Sequence, residues 1–114
     1  AVGLCLPYTI EFSVRGEMPT RYGDIARLLG RPAEDEAQAA VALAGAVRAL
    51  AREIAQPCSL REAGILPETF QARLAAIVDN AFFDSATLIG PRIPEAEDVE
   101  RLLLCIYDGL PVDF

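Results

Sequence analysis

The side chains of this chain that are able to do chemistry are few, and an absence shapes the rest. Among 114 residues there is no His, which removes the commonest general base and the commonest metal ligand together. Carboxylates gather in two places. Glu95, Glu97, Asp98 and Glu100 are dense enough to interest a cation, yet acidic residues just after a Pro also mark a solvated helix N-terminus. Asp79, Asn80 and Asp84 have a spacing that matches no metal-site pattern. Three cysteines, Cys5, Cys58 and Cys105, are far apart, odd in number and set among apolar neighbours. They read as buried free thiols in a reducing compartment, the cytoplasm, with a disulfide or metal cluster as the minor alternative. Arg92, between Pro91 and the Ile93–Pro94 pair, is an Arg in a stiff loop, suited to capping helix carbonyls or clamping a carboxylate. On these grounds no residue is assigned as catalytic, cofactor-binding or metal-ligating.

Bulk properties narrow the partners. The formal charge is −7, from 17 acidic and 10 basic residues, and every basic residue is Arg. No basic patch offsets phosphate repulsion, so nucleic acid is not an expected partner. Hydrophobic residues make up 53% of the chain, but no apolar run approaches the roughly 20 residues of a membrane span. No membrane partner is expected either. The length suits one domain with its own core.

The elements that would carry these residues are helices. Tyr22, Ile25, Ala26, Leu28 and Leu29 mark a short helix over 20–29, stopped by Gly30 with Pro32 beyond it. An Ala-rich stretch over 33–55 repeats its larger apolar residues, Val41, Leu43, Val47, Leu50 and Ile54, at three- and four-residue steps. Its small side chains invite close approach of a second helix, which places it at the centre of a bundle. Ser59 and Glu62 have capping-box spacing, and a helix of one or two turns ending at Gly64 is predicted there. The stripe Phe70, Leu74, Ile77, Val78, Ala81 and Phe82 predicts a helix over 67–83, entered at Pro67. Gly90, Pro91 and Pro94 break the pattern into a loop. A last helix from about Pro94 to Gly109 should bury Val99, Leu102, Leu103 and Ile106, with Glu97 and Arg101 four apart in the favourable order.

The opening residues are where periodicity and chemistry disagree. Val2, Leu4, Leu6, Tyr8, Ile10, Phe12 and Val14 alternate as a strand does, but Pro7 would remove a ladder donor and no second strand exists to pair with. A largely buried helix, kinked near Pro7, is therefore expected. The whole chain, residues 1–114, reads as one all-α domain, a bundle of about five to six helices with short connections.

Taken in order, "GLCLPYTIEF", "RYGDIARLLG", the Ala-rich helix, "PCSLREAGI" and "DSATLIGPRIPEAEDVERLL" resemble the C-terminal helical domain of the iron-containing (group III) alcohol dehydrogenases, within the dehydroquinate synthase-like superfamily. The resemblance runs over nearly all of the chain. It implies a larger two-domain enzyme, in which a nucleotide-binding α/β domain precedes the helical one and a divalent metal, Fe(2+) or Zn(2+), sits in the cleft, held by an Asp and three His. The last of these His residues typically belongs to an "HG" pair just upstream of the segment that opens this chain, so none of the four ligands and none of the nucleotide-binding glycines has a counterpart here.

The resemblance also implies what remains for this chain. The parent would transfer hydride between NAD(P) and a small alcohol or aldehyde, its metal acting as a Lewis acid. This part would form pocket wall and cleft cover, bind no metal or nucleotide itself, and be inactive alone. Residues matching Ala86 and Thr87 line the substrate pocket in some relatives, and those two are the site residues carried over. Gly90 departs from the Asn common in an Asn-Pro-Arg-like element. The expected partners are the missing nucleotide-binding domain and, in the parent, further copies of itself. Alternatives are a free-standing helical interaction module and the helical lobe of a glycerol dehydrogenase or dehydroquinate synthase-type enzyme. An uncapped apolar start, and apolar faces around Leu4, Leu6, Leu88 and Ile89 that have lost a cover, would distinguish a fragment from a module.

Overall fold

Five α-helices and one 3-10 turn make up the architecture, with no strand, in a computed structural model that describes all 114 residues. They are α1 (Val2–Ser13), α2 (Tyr22–Leu28), α3 (Glu36–Glu53), α4 (Pro67–Phe82) and α5 (Ala96–Asp108), with the 3-10 turn at Thr87–Ile89 between α4 and α5. In space the order is α2, α3, α1, α5, α4, each packing on the next. The result is a slab of 41 × 33 × 21 Å, about two helix diameters thick. So thin a body cannot enclose most of its apolar side chains, and only 19 residues are buried.

Helix α1 is the spine. It runs unbroken through Pro7, whose ring would crowd the carbonyl of residue 3. That residue is Gly3, with nothing within 4 Å of where a Cβ would stand. The second half of α1 is buried: Tyr8 and Phe12 pack with Ile106 and Val112 toward α5, while Ile10 packs with Ala40 and Leu43 toward α3. The first half is not, since Val2 and Leu6 are exposed.

The Ala-rich helix is corrected in its facing. Ala39, Ala40 and Ala44 are fully buried, because small side chains let α1 and α2 approach closely, and that approach turns the larger residues outward. Val41 is 66% exposed, and Leu50 and Ile54 are exposed too; only Leu43 of the expected set is buried. The centre of the bundle is therefore α1.

Around Ser59 the predicted short helix is a turn. Ser59 Oγ accepts from the Glu62 amide at 3.1 Å as expected, but Glu62 reaches back to the Cys58 amide at 2.8 Å rather than to that of Ser59. The Leu60 and Arg61 amides donate to the Ile106 and Tyr107 carbonyls. The segment thus caps the end of α5, whose last carbonyls have no partner within the helix. On its other side α5 packs on α4, where Tyr107 stacks on Phe70 with ring centroids 4.3 Å apart.

Candidate functional site

The residues singled out for pocket lining lie in the connection from α4 to α5. Asp84 Oδ1 accepts from the Ala86 amide at 2.7 Å, and Thr87 Oγ1 donates to the Ala81 carbonyl at 2.7 Å. Both bonds follow from the short polar side chains at these positions, which compete with helix continuation and fold the chain back on the end of α4. Ala86 is therefore exposed, Thr87 is half-buried with its hydroxyl hydrogen already used, and the next two side chains, Leu88 and Ile89, point to solvent. Ile89 is 84% exposed. The turn presents an apolar surface.

Beyond the turn the chain is anchored. Arg92 Nη1 donates to the backbone oxygen of Phe114 at 2.6 Å, its guanidinium lies 3.9 Å over the Phe12 ring, and Nη2 stands 3.7 Å from Asp98 Oδ1. The structural reading of Arg92 holds, with the clamp extending to an aromatic face as well as to a carboxylate. The loop after α1 meets the same segment: a Cβ at Gly16 would stand 2.4 Å from the Pro91 carbonyl oxygen, so only Gly permits this approach.

Three of the acidic groups, Asp84, Glu95 and Asp98, have local tasks. Glu95 and Asp98 form a capping box at the start of α5, in which Asp98 Oδ2 accepts from the Glu95 amide at 3.1 Å. Asp84 serves its own turn. The Glu97–Arg101 pair does not form; Arg101 lies 3.8 Å over the Phe114 ring instead. All three cysteines are free, and burial pushes the Cys5 and Cys105 thiols up from their ordinary value, which keeps them protonated and poor nucleophiles. Nowhere do three His, Cys, Asp or Glu side chains come together in a way that could hold a metal ion. The residues present do not fit the metal centre that the family resemblance implies.

Of the four positions named as an uncovered apolar face, Leu6, Leu88 and Ile89 are exposed. Leu4 is not: it is half-buried against the Tyr8 and Phe12 cluster.

Sequence reasoning missed the buried polar centre altogether. Glu11 is 6% exposed, and its carboxylate accepts from both terminal nitrogens of the Arg48 guanidinium, Nη2 at 3.0 Å, and from the Val112 amide at 3.0 Å. The same guanidinium lies 4.8 Å over the Tyr8 ring, and the Tyr8 hydroxyl donates to the Cys58 carbonyl. Glu11 keeps Arg48 firmly charged. One signal for this was present: Glu11 is the only charged residue in the otherwise apolar α1, which calls for a partner of opposite sign.

No helix is long and apolar enough to cross a membrane. Compared with known proteins, the chain matches the family described as "Fe-containing alcohol dehydrogenase family, C-terminal" over residues 1–107. It is 27% identical over its full length to the NADPH-dependent butanol dehydrogenase of Clostridium saccharobutylicum, and spans 29% of that protein. It is 33% identical over 97 residues, 83% of the chain, to the bifunctional aldehyde-alcohol dehydrogenase AdhE of Escherichia coli K12, where it spans 11% of the relative. An all-helical chain that carries the apolar turn, the Pro91–Arg92 anchor and this match over nearly its whole length belongs to the Fe-containing alcohol dehydrogenase family, within that family's C-terminal region.

Proposed function

We propose that the chain is the helical lobe of a metal-dependent, NAD(P)-linked oxidoreductase of small alcohols or aldehydes, and that it supplies pocket wall and cleft cover. The observation that carries this is the α4–α5 connection. Within it the 86–89 turn faces Ala86, Leu88 and Ile89 outward, spends the Thr87 hydroxyl hydrogen internally and carries no charge of its own, the connection's charged groups being Asp84 before the turn and Arg92 and Glu95 after it. Such a wall can contact a carbon chain and exclude water from the reacting atoms. The family match favours this reading over a free interaction module, and the relatives' names, a butanol dehydrogenase and an aldehyde-alcohol dehydrogenase, are consistent with it.

The metal and the nicotinamide would be held by residues outside this chain, in a nucleotide-binding domain and in the segment preceding Ala1. The parent would be cytoplasmic, and self-association is open to it. Two proteins test the proposal: the 114-residue chain, and the longer polypeptide that includes the sequence encoded upstream of it. With 1-butanol, NADP or NAD, and added iron or zinc, the short chain should form no reduced nicotinamide and the longer one should. Turnover by the 114 residues alone, or none by the longer protein, refutes it.

A further inference from the structure

We infer that Arg92 is a positioning residue, which fixes the Ala86–Ile89 turn against α1 and so sets where the apolar wall stands relative to a bound alcohol. The inference rests on the reading of that turn as pocket wall. One planar group joins three parts of the molecule: the Phe12 ring of α1 at 3.9 Å, the Phe114 backbone oxygen at 2.6 Å, and Asp98 in the first turn of α5 at 3.7 Å. The Arg92 side chain is 22% exposed, so these contacts are sheltered from water. From the other side, Gly16 lets the loop after α1 touch the same segment, with a Cβ there 2.4 Å from the Pro91 oxygen and 2.7 Å from Arg92 Cβ.

The turn is held at one end by bonds to the end of α4 and to itself, and at the other by this junction. Its outer residues, Leu88 and Ile89, join none of the core clusters. Only Gly90 and Pro91 separate Ile89 from Arg92, and Pro91 has its φ restricted by its ring. A shift at Arg92 therefore reaches the wall with a single flexible residue, Gly90, in between. Lys could keep the charge but not the planar stacking with simultaneous donation.

The test uses the longer polypeptide with ethanol, 1-butanol and 1-hexanol as probes. Arg92→Met and Gly16→Ala should raise KM for 1-butanol roughly tenfold, with a smaller change in kcat, and alter the ethanol-to-hexanol ratio of kcat/KM, because small displacements of a positioning contact are costly. Arg92→Lys should restore only part of this. Leu43→Ala, in the α1–α3 core, should lower Tm while leaving KM and the ratio in place. Hydrogen exchange gives a readout independent of turnover: the Thr87, Leu88 and Ile89 amides should exchange faster in Arg92→Met and Gly16→Ala and not in Leu43→Ala. Unchanged KM and exchange overturn the inference, as does a KM rise shared equally by Leu43→Ala. If the unsubstituted protein oxidises none of these alcohols, the pocket reading fails, and the exchange data alone decide whether Arg92 holds the turn.

Discussion

Helices α1 and α5 pack into the same core, around Tyr8, Phe12, Ile106 and Val112, yet they are held in opposite ways. At its start α5 has a capping box from Glu95 and Asp98, with Glu97 also in the first turn; at its end is Gly109 in the left-handed region, at φ 76°. Helix α1 has no side-chain cap, no acidic residue in its first turn, no basic residue in its last, and a Pro inside. Its stability must come from its neighbours, through apolar burial and the Glu11–Arg48 pair. Helix α2 is intermediate. With no cap of its own, it borrows the Glu36 carboxylate from α3, which accepts from the Tyr22 and Gly23 amides at 3.0 and 2.9 Å and from the Thr20 hydroxyl at 2.6 Å. A helix that is locally complete should tolerate loss of a cap. One that depends on its neighbours should not tolerate loss of a bridge.

The sharpest test of that contrast is Glu11→Ala. It leaves Arg48 as a sheltered charge without a partner and the Val112 amide without an acceptor, a situation that costs about 3–5 kcal/mol. Urea unfolding should show a loss of unfolding free energy of that size, and a loss of under about 1 kcal/mol would mean that α1 does not depend on the pair. Below it comes Glu36→Gln, expected to cost about 1 kcal/mol as a lost cap and to remove a pH dependence. The Thr20 hydroxyl and then the α2 amides hold the Glu36 carboxyl below its ordinary 4.5, so the unfolded chain binds this proton more readily than the folded one. The stabilisation is complete above that ordinary value and is lost as pH falls through the lower folded one. The difference in Tm between the parent sequence and Glu36→Gln should therefore shrink on acidification, and a difference constant from neutral pH to well below 4.5 would contradict the cap. The smallest effect belongs to Glu95→Ala on α5, about 0.5 kcal/mol, because Asp98, Glu97 and the dipole remain. A loss as large as that of Glu11→Ala would erase the distinction between the two helices.

The same contrast explains what could be read in advance. Helices α4 and α5 were legible nearly to their ends, since Pro67, the acidic first turn and Gly109 are local signals whose physics involves only near neighbours. The helical state of α1 was reached by elimination. Its buried half was not assignable, because even-numbered apolar residues fit a strand or a helix and only packing separates Tyr8, at 0% exposure, from Leu6, at 42%. Helix α3 misled for a related reason: the bulkiest apolar residues suggest the core face, but the closest packing selected the alanines. In the α4–α5 connection the residue types showed a loop and a stiff Arg, while the partners of that Arg lie as far as 80 positions away at Phe12.

By itself, then, the sequence determined an all-α chain, its break points and its free thiols, because each depends on composition, periodicity or neighbours in the chain, and the order and spacing of whole segments carried the resemblance to the family. Only the tertiary structure decided that α1 is the spine, that Glu11 and Arg48 meet between α1 and α3, that Glu36 caps another helix, and that Arg92 clamps the apolar turn to Phe12. Each of these joins groups distant along the chain, and their worth depends on burial and geometry that no local pattern encodes.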